Sequence, residues 1–130
     1  MPLYKINISE IENSVNTSLD STTTINRRVI AIIISKLNGF VHSNGRTYTK
    51  IFINNSLIDY FMDSPLFVMP PMGMVGDSVI VGRIMGYNIC ISYKLDIDEY
   101  FIGESERELN ILKRNKKITK ILQHERLLTN

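Results

Sequence analysis

The chain of 130 residues is long enough for one domain with one core and too short for two. Hydrophobic residues at 44% and charged residues at 22% are ordinary for a folded globular chain and exclude wholesale disorder. A net charge of +2 is too small for a general polyanion binder, and the single cysteine, Cys90, excludes an internal disulfide or a cysteine-based zinc site.

No apolar run exceeds the six residues from Val29 to Ile34, far short of the about 20 that a membrane-spanning helix needs. The opening residues lack the charged-then-apolar pattern of a secretory leader, so none is expected. With one cysteine, the chain fits a reducing compartment. The 20 Ile, 12 Asn and lone Ala31 match the codon usage of an AT-rich genome, as in many bacteriophages.

Ser9-Glu10-Ile11-Glu12 has the form of a capping box. Ile8, Ile11, Val15 and Leu19 recur at helical spacing, which predicts a helix over 10–19. A polar break over 20–24 follows. Ile25, Val29, Ile32, Ile33, Leu37 and Phe40 then repeat at three- and four-residue intervals. Because 29–34 is apolar nearly all round, this helix is expected to be the buried one, ended by Asn38-Gly39 as a left-handed cap.

Residues 43–45 form a predicted turn, and the β-branched and aromatic residues of 47–53 a strand. Asn54, Asn55 or Ser56 then caps a short helix carrying Leu57, Ile58 and Phe61, which Ser64-Pro65 stops. Two prolines and two glycines over 66–76 predict an irregular loop. That loop carries Phe67, Met69, Met72 and Met74. An apolar loop either covers the core, the commoner use, or meets a partner, and Met adapts to both. These four residues are the candidate protein interface.

Strands are predicted over 78–84 and 87–93, joined tightly through Met85-Gly86. An acidic connection over 95–99 leads to a last strand, 100–102, closed by Gly103. From 105 to about 128 the chain reads as a helix with Ile111, Ile118, Ile121, Leu122 and Leu128 on one face. Lys113, Lys116, Lys117 and Lys120 lie opposite and form the candidate basic surface. Residues 104–130 hold seven Lys/Arg against four Glu, so the positive charge is concentrated there. The sum is an α+β fold: over 1–103, a small antiparallel or mixed sheet packed on a buried helix. Over 104–130 comes a C-terminal amphipathic basic helix, packed on the same domain or extending from it.

Catalytic patterns are not found. His42 and His124 lie on different elements, each without a patterned carboxylate or cysteine nearby. Cys90, between Ile89 and Ile91, reads as a buried structural thiol. Asp96, Asp98 and Glu99 could chelate magnesium, but an acidic connection between strands is usually a solvated turn. No phosphate-cradling pattern is present, and no metal or other cofactor is expected.

The order of elements over 25–103 resembles the C-terminal part of tailed-phage major capsid proteins, the shell fold shared with encapsulins. The resemblance rests on the apolar helix 25–37, the turn Gly45-Arg46, and the strand and short helix from Ile51 to Phe61. It continues through the Pro/Gly-rich loop, the strand pair Gly82–Ser92, and the closing Asp98-Glu99-Tyr100-Phe101-Ile102-Gly103. Thr47 stands where that turn often has a second glycine, and the basic tail lies outside the family pattern. The resemblance implies a reduced capsid-related subunit, an accessory head component, or a piece of a larger subunit. The expected function is thus a non-enzymatic structural or assembly role in a phage-like virion, in the virion or the host cytoplasm. Its partners would be other virion proteins or copies of itself, with no membrane. The alternative is a small nucleic-acid-binding or regulatory protein using the basic helix. A metal-dependent nuclease built on Asp96, Asp98 and Glu99 ranks last.

Overall fold

Strict alternation along the central strands sends apolar side chains to both faces of one sheet. The computed structural model describes residues 3–14, 21–44, 49–69, 73–75 and 78–115. Seven strands are described: β1 (Leu3–Lys5), β2 (Lys50–Ile53), β3 (Phe67–Val68), β4 (Gly73–Val75), β5 (Ser78–Ile84), β6 (Tyr87–Ile91) and β7 (Glu99–Gly103). The helices are α1 (Ile8–Ser14), α2 (Ser21–Asn44), α3 (Ile58–Met62) and α4, described over 106–115. The strand order is β1-β7-β2-β6-β5-β3, and β4 also pairs with β5. The sheet is mixed, since β2 and β6 run parallel and the other pairs antiparallel. The fold is α+β, as the pattern of elements predicts.

Ile51, Ile53, Ile89, Tyr100 and Ile102 point to one face. There they meet Val29, Ile30, Ile33 and Leu37 of α2, with Ile11 of α1, Leu57 and Phe61 closing the same core. Phe52, Cys90 and Phe101 alternate to the opposite face, where Leu95 and Leu109 of α4 cover them. The sheet therefore separates a large core from a small one. The helix that follows β7 is a third layer of the same domain.

Several expectations are corrected. The cap of α1 is Asn7, whose Oδ1 accepts from the Glu10 amide at 3.1 Å, and not Ser9, which lies inside the helix. Residues 15–19 of that predicted helix lie outside the described residues. Asn38-Gly39 does not end α2, which runs on through Ser43 to Asn44. Phe40 and Val41 still pack on the core there, while Gly39 faces open space. Nor is α2 buried all round, since Ala31 and Ile32 are exposed on its outer side. Ser43 and Asn44 belong to the helix and not to the expected turn, and residues 45–48 lie outside the described residues. The supposed irregular stretch 66–76 contributes β3 and β4, because β5 offers its outer edge to both. The sequence pattern also gives no sign of β1, three residues paired with β7.

Other elements follow their local chemistry. Asn54 caps the 3₁₀ turn Asn55–Leu57 that opens α3, accepting from the Ser56 amide at 2.9 Å. Met85 and Gly86 join β5 to β6 with φ of 52° and 84°, the paired positive values of a primed two-residue hairpin turn. Within β5 the register shifts between Ile80 and Gly82, so Val81 is a bulge residue. The bulge keeps Arg83 on the small-core face beside Asn88 and Ile84 in the large core.

Candidate functional site

A polar network holds α4 against the sheet. Glu106, Leu109 and Lys113 recur at three- and four-residue spacing, so one helical face carries an acid, an apolar anchor and a base. Leu109 is fully buried and Leu112 packs beside it. Ser92, at the end of β6, donates its hydroxyl to the buried Glu106 carboxylate at 2.8 Å, and Lys94 lies 3.8 Å from the same oxygen. Lys113 donates to the buried Glu99 carboxylate and stands 3.4 Å from Asp96. Lys50 donates to the Glu104 carbonyl at 2.8 Å, securing the link into the helix. Two buried carboxylates are thus each matched by a donor, as burial of a charge requires.

This network gives the acidic connection a role that its sequence does not announce. Asp96 and Glu99 bracket an ammonium group. Asp98, with φ of 61°, turns instead to Ser56: its amide donates to the Ser56 hydroxyl at 2.9 Å, and that hydroxyl donates back to its carboxylate at 3.2 Å. The three acids do not converge, and among the described residues no group of three or more His, Cys, Asp or Glu could hold a metal ion. No helix among the described residues is long and apolar enough to cross a membrane.

Cys90 is fully buried in the small core. Burial pushes its thiol up to about 11, with Lys50 lowering and Glu106 raising it. At neutral pH it is a protonated, enclosed side chain, the structural thiol expected from its apolar neighbours. Tyr100 is also raised, by burial and then by Tyr4, whose ring centroid lies 5.2 Å away. His42 is exposed near the end of α2, beside Met85 and Tyr87 in a shallow cleft. His124 lies outside the described residues.

The four candidate interface residues separate. Phe67 is half-buried and packs on the large core, so it turns inward. A Cβ on Gly82 would stand 2.2 Å from its ring, so glycine there lets the ring lie flat on β5. Met69 is exposed at the end of β3. Met72 lies outside the described residues, and Met74 sits on β4 in register with Val79. Exposed apolar residues that composition alone does not single out lie on β3 and the segments next to it: Leu66, Val68, Met62 at the end of α3, and Met85 in the β5–β6 turn. Met85 belongs to this group because Phe67 pairs with Ile84, which brings the hairpin turn next to Leu66.

The basic surface divides as well. Lys116, Lys117 and Lys120 lie outside the described residues. Lys113 turns to Glu99 and Asp96 rather than outward. Ile111, assigned by periodicity to the apolar face of the tail helix, is exposed, and Leu109 and Leu112 are the anchors. The long-range lysine partner explains this choice of face, and a helical wheel carries no record of it. No family model, curated protein or solved structure matches the chain.

Proposed function

We propose that the protein is a structural or assembly component of a phage-like particle, acting through protein–protein contacts and not by catalysis. The carrying observation is a cluster at one margin of the sheet. Of the nine exposed large hydrophobic residues among those described, five (Met62, Leu66, Val68, Met69 and Met85, each 51–64% exposed) lie on β3 or on the segments next to it, namely the end of α3, the residues flanking β3 and the β5–β6 turn. Apolar clustering of that kind marks an interface more than scattered exposure does, and three methionines suit an uneven partner surface. The order of elements over 25–103, which resembles the tailed-phage shell fold, supplies the class of particle.

Val68→Lys combined with Met69→Lys tests the reading. Both side chains are exposed, so the fold is expected to persist with an unchanged melting temperature. Light scattering after size exclusion is expected to give a wild-type mass above the monomer and a monomeric double variant. A wild-type chain that stays monomeric at every concentration and is missing from purified particles sinks the proposal.

The excess of Lys/Arg over Glu in 104–130 supports a second reading, nucleic-acid binding by the tail. The engagement of Lys113 with two carboxylates weighs against it. Replacing Lys113, Lys116, Lys117 and Lys120 by Glu abolishes nucleic-acid retention only under this second reading.

A further inference from the structure

α2, α3 and the turn after α3 line a cavity of about 500 Å³ that opens to solvent, a size within the range of about 300–1,000 Å³ typical of small-ligand sites. Its floor is apolar. Ile30 is buried in the large core, and Ile34 and the half-buried Tyr60 pack against that core. Ala31 and Leu66 line the same cavity and are exposed. On α2, Arg27, Ile30, Ala31 and Ile34 recur at three- and four-residue spacing, so one helical face spans about 10 Å from a charged end to an apolar one. The facing wall is held by its own hydrogen bonds. The Ser64 amide donates to the Phe61 carbonyl at 3.0 Å, the Phe67 amide to the Ser64 carbonyl at 3.1 Å, and the Leu66 amide to the Ser64 hydroxyl at 3.3 Å. The cavity is therefore formed before an occupant arrives, which lowers the ordering cost of binding.

The charges on the lining select the occupant. Arg27 and Asp63 carry opposite charges into one cavity, yet they form no ion pair with each other. Asp63 instead accepts from the Asn26 carboxamide at 2.6 Å through one carboxylate oxygen. Among the described residues Arg27 has neither a hydrogen bond nor an ion pair. A ligand with a single charge meets one attraction and one repulsion here, whereas a ligand carrying both signs meets two attractions. The guanidinium offers a fork that fits a carboxylate, and the other Asp63 oxygen is open to an ammonium. We propose that this cavity binds a free α-amino acid with an apolar side chain, its carboxylate toward Arg27, its ammonium toward Asp63, and its side chain against Ile30, Ile34 and Leu66. This ligand function is separate from assembly and does not depend on it.

Isothermal titration of the full chain with L-phenylalanine and with L-leucine tests the site. At least one of the two is expected to bind saturably. The decarboxylated and deaminated analogues of whichever binds (phenethylamine and hydrocinnamate for phenylalanine) are each expected to bind about tenfold more weakly or worse. Arg27→Gln and Asp63→Asn, both at exposed positions, are expected to keep the melting temperature and to lose about tenfold in affinity. Ala31→Phe, which fills the cavity from its exposed side, is expected to abolish binding. Absence of saturable binding by both amino acids, equal affinity for either singly charged analogue, or normal binding by either charge variant overturns the proposal. The comparison of amino acid, amine and acid on the wild-type chain decides the matter even if a variant fails to fold.

Discussion

At the scale of single residues, the small core couples its packing to protonation. Burial pushes the Cys90 thiol from its ordinary value of 9.0 up to about 11 in the fold, because it disfavours the thiolate. A raised folded value means that the stabilising contribution is complete below pH 9 and is lost as pH climbs through about 11. Two units correspond to on the order of 2 to 3 kcal/mol. Urea midpoints measured from pH 8 to 11 are expected to fall, with Tyr100 adding to the loss above pH 10 because its phenol is raised too. Cys90→Ala is expected to flatten the part of the curve between pH 9 and 10. An unchanged curve in that variant rules out the thiol as the source. Residue identity announced the buried thiol, because Cys90 sits between two isoleucines. It could not announce Glu106 or Lys113, whose nearest partners, Ser92 and Glu99, are each 14 residues away.

At the scale of elements, local chemistry was informative wherever partners were close in sequence. The hairpin β5–β6 was legible because two strand-forming runs flank a dipeptide ending in glycine. The short helix after β2 was legible because Asn54 is a strong cap. Met85 is nonetheless a poor residue for its place: its φ of 52° is left-handed, a region that favours Gly, Asn and Asp. Met85→Asn is expected to stabilise the hairpin by about 0.5–1 kcal/mol, read as a rise in melting temperature. Because Met85 also borders the apolar margin, the same change is expected to weaken assembly while raising stability. A fall in melting temperature refutes the turn assignment. Two element boundaries were not legible. Asn7 and Ser9 are equally good caps by composition, and only the packing of Ile11 on the core selects the frame that begins at Ile8. Asn38-Gly39 carries a stop signal, yet Phe40 and Val41 gain enough by packing to carry α2 past it.

At the scale of the whole molecule, the sheet is assembled from distant segments. Leu3 pairs with Phe101, and β2 lies between β6 and β7, so the centre closes only after most of the chain is present. Long-range closure of this kind slows folding. Refolding by stopped flow is expected on the order of milliseconds to seconds, and a microsecond phase accounting for the whole amplitude would contradict the topology. The mixed sheet and its helix layer could be anticipated as a class, since apolar alternation and helical spacing alternate along the chain. The strand order could not, because nothing local tells β1 to seek β7. For the same reason the margin around β3 was only partly visible: Met69 stood out by composition, whereas Leu66 and Met85 become neighbours only through the pairing of Phe67 with Ile84.

The bulge at Val81 has a consequence for that margin. β4 pairs with β5 before it, over Ser78–Ile80, and β3 pairs after it, at Arg83 and Ile84, so the rim is broken into pieces of three and two residues. An incoming chain would find too few consecutive amides and carbonyls to lay down a ladder before the path bends. On the proposed function, neighbours on this side would be recognised by the shape of their greasy side chains, a mode of contact that fills and stops, and not by backbone templating, which propagates without limit into fibrils.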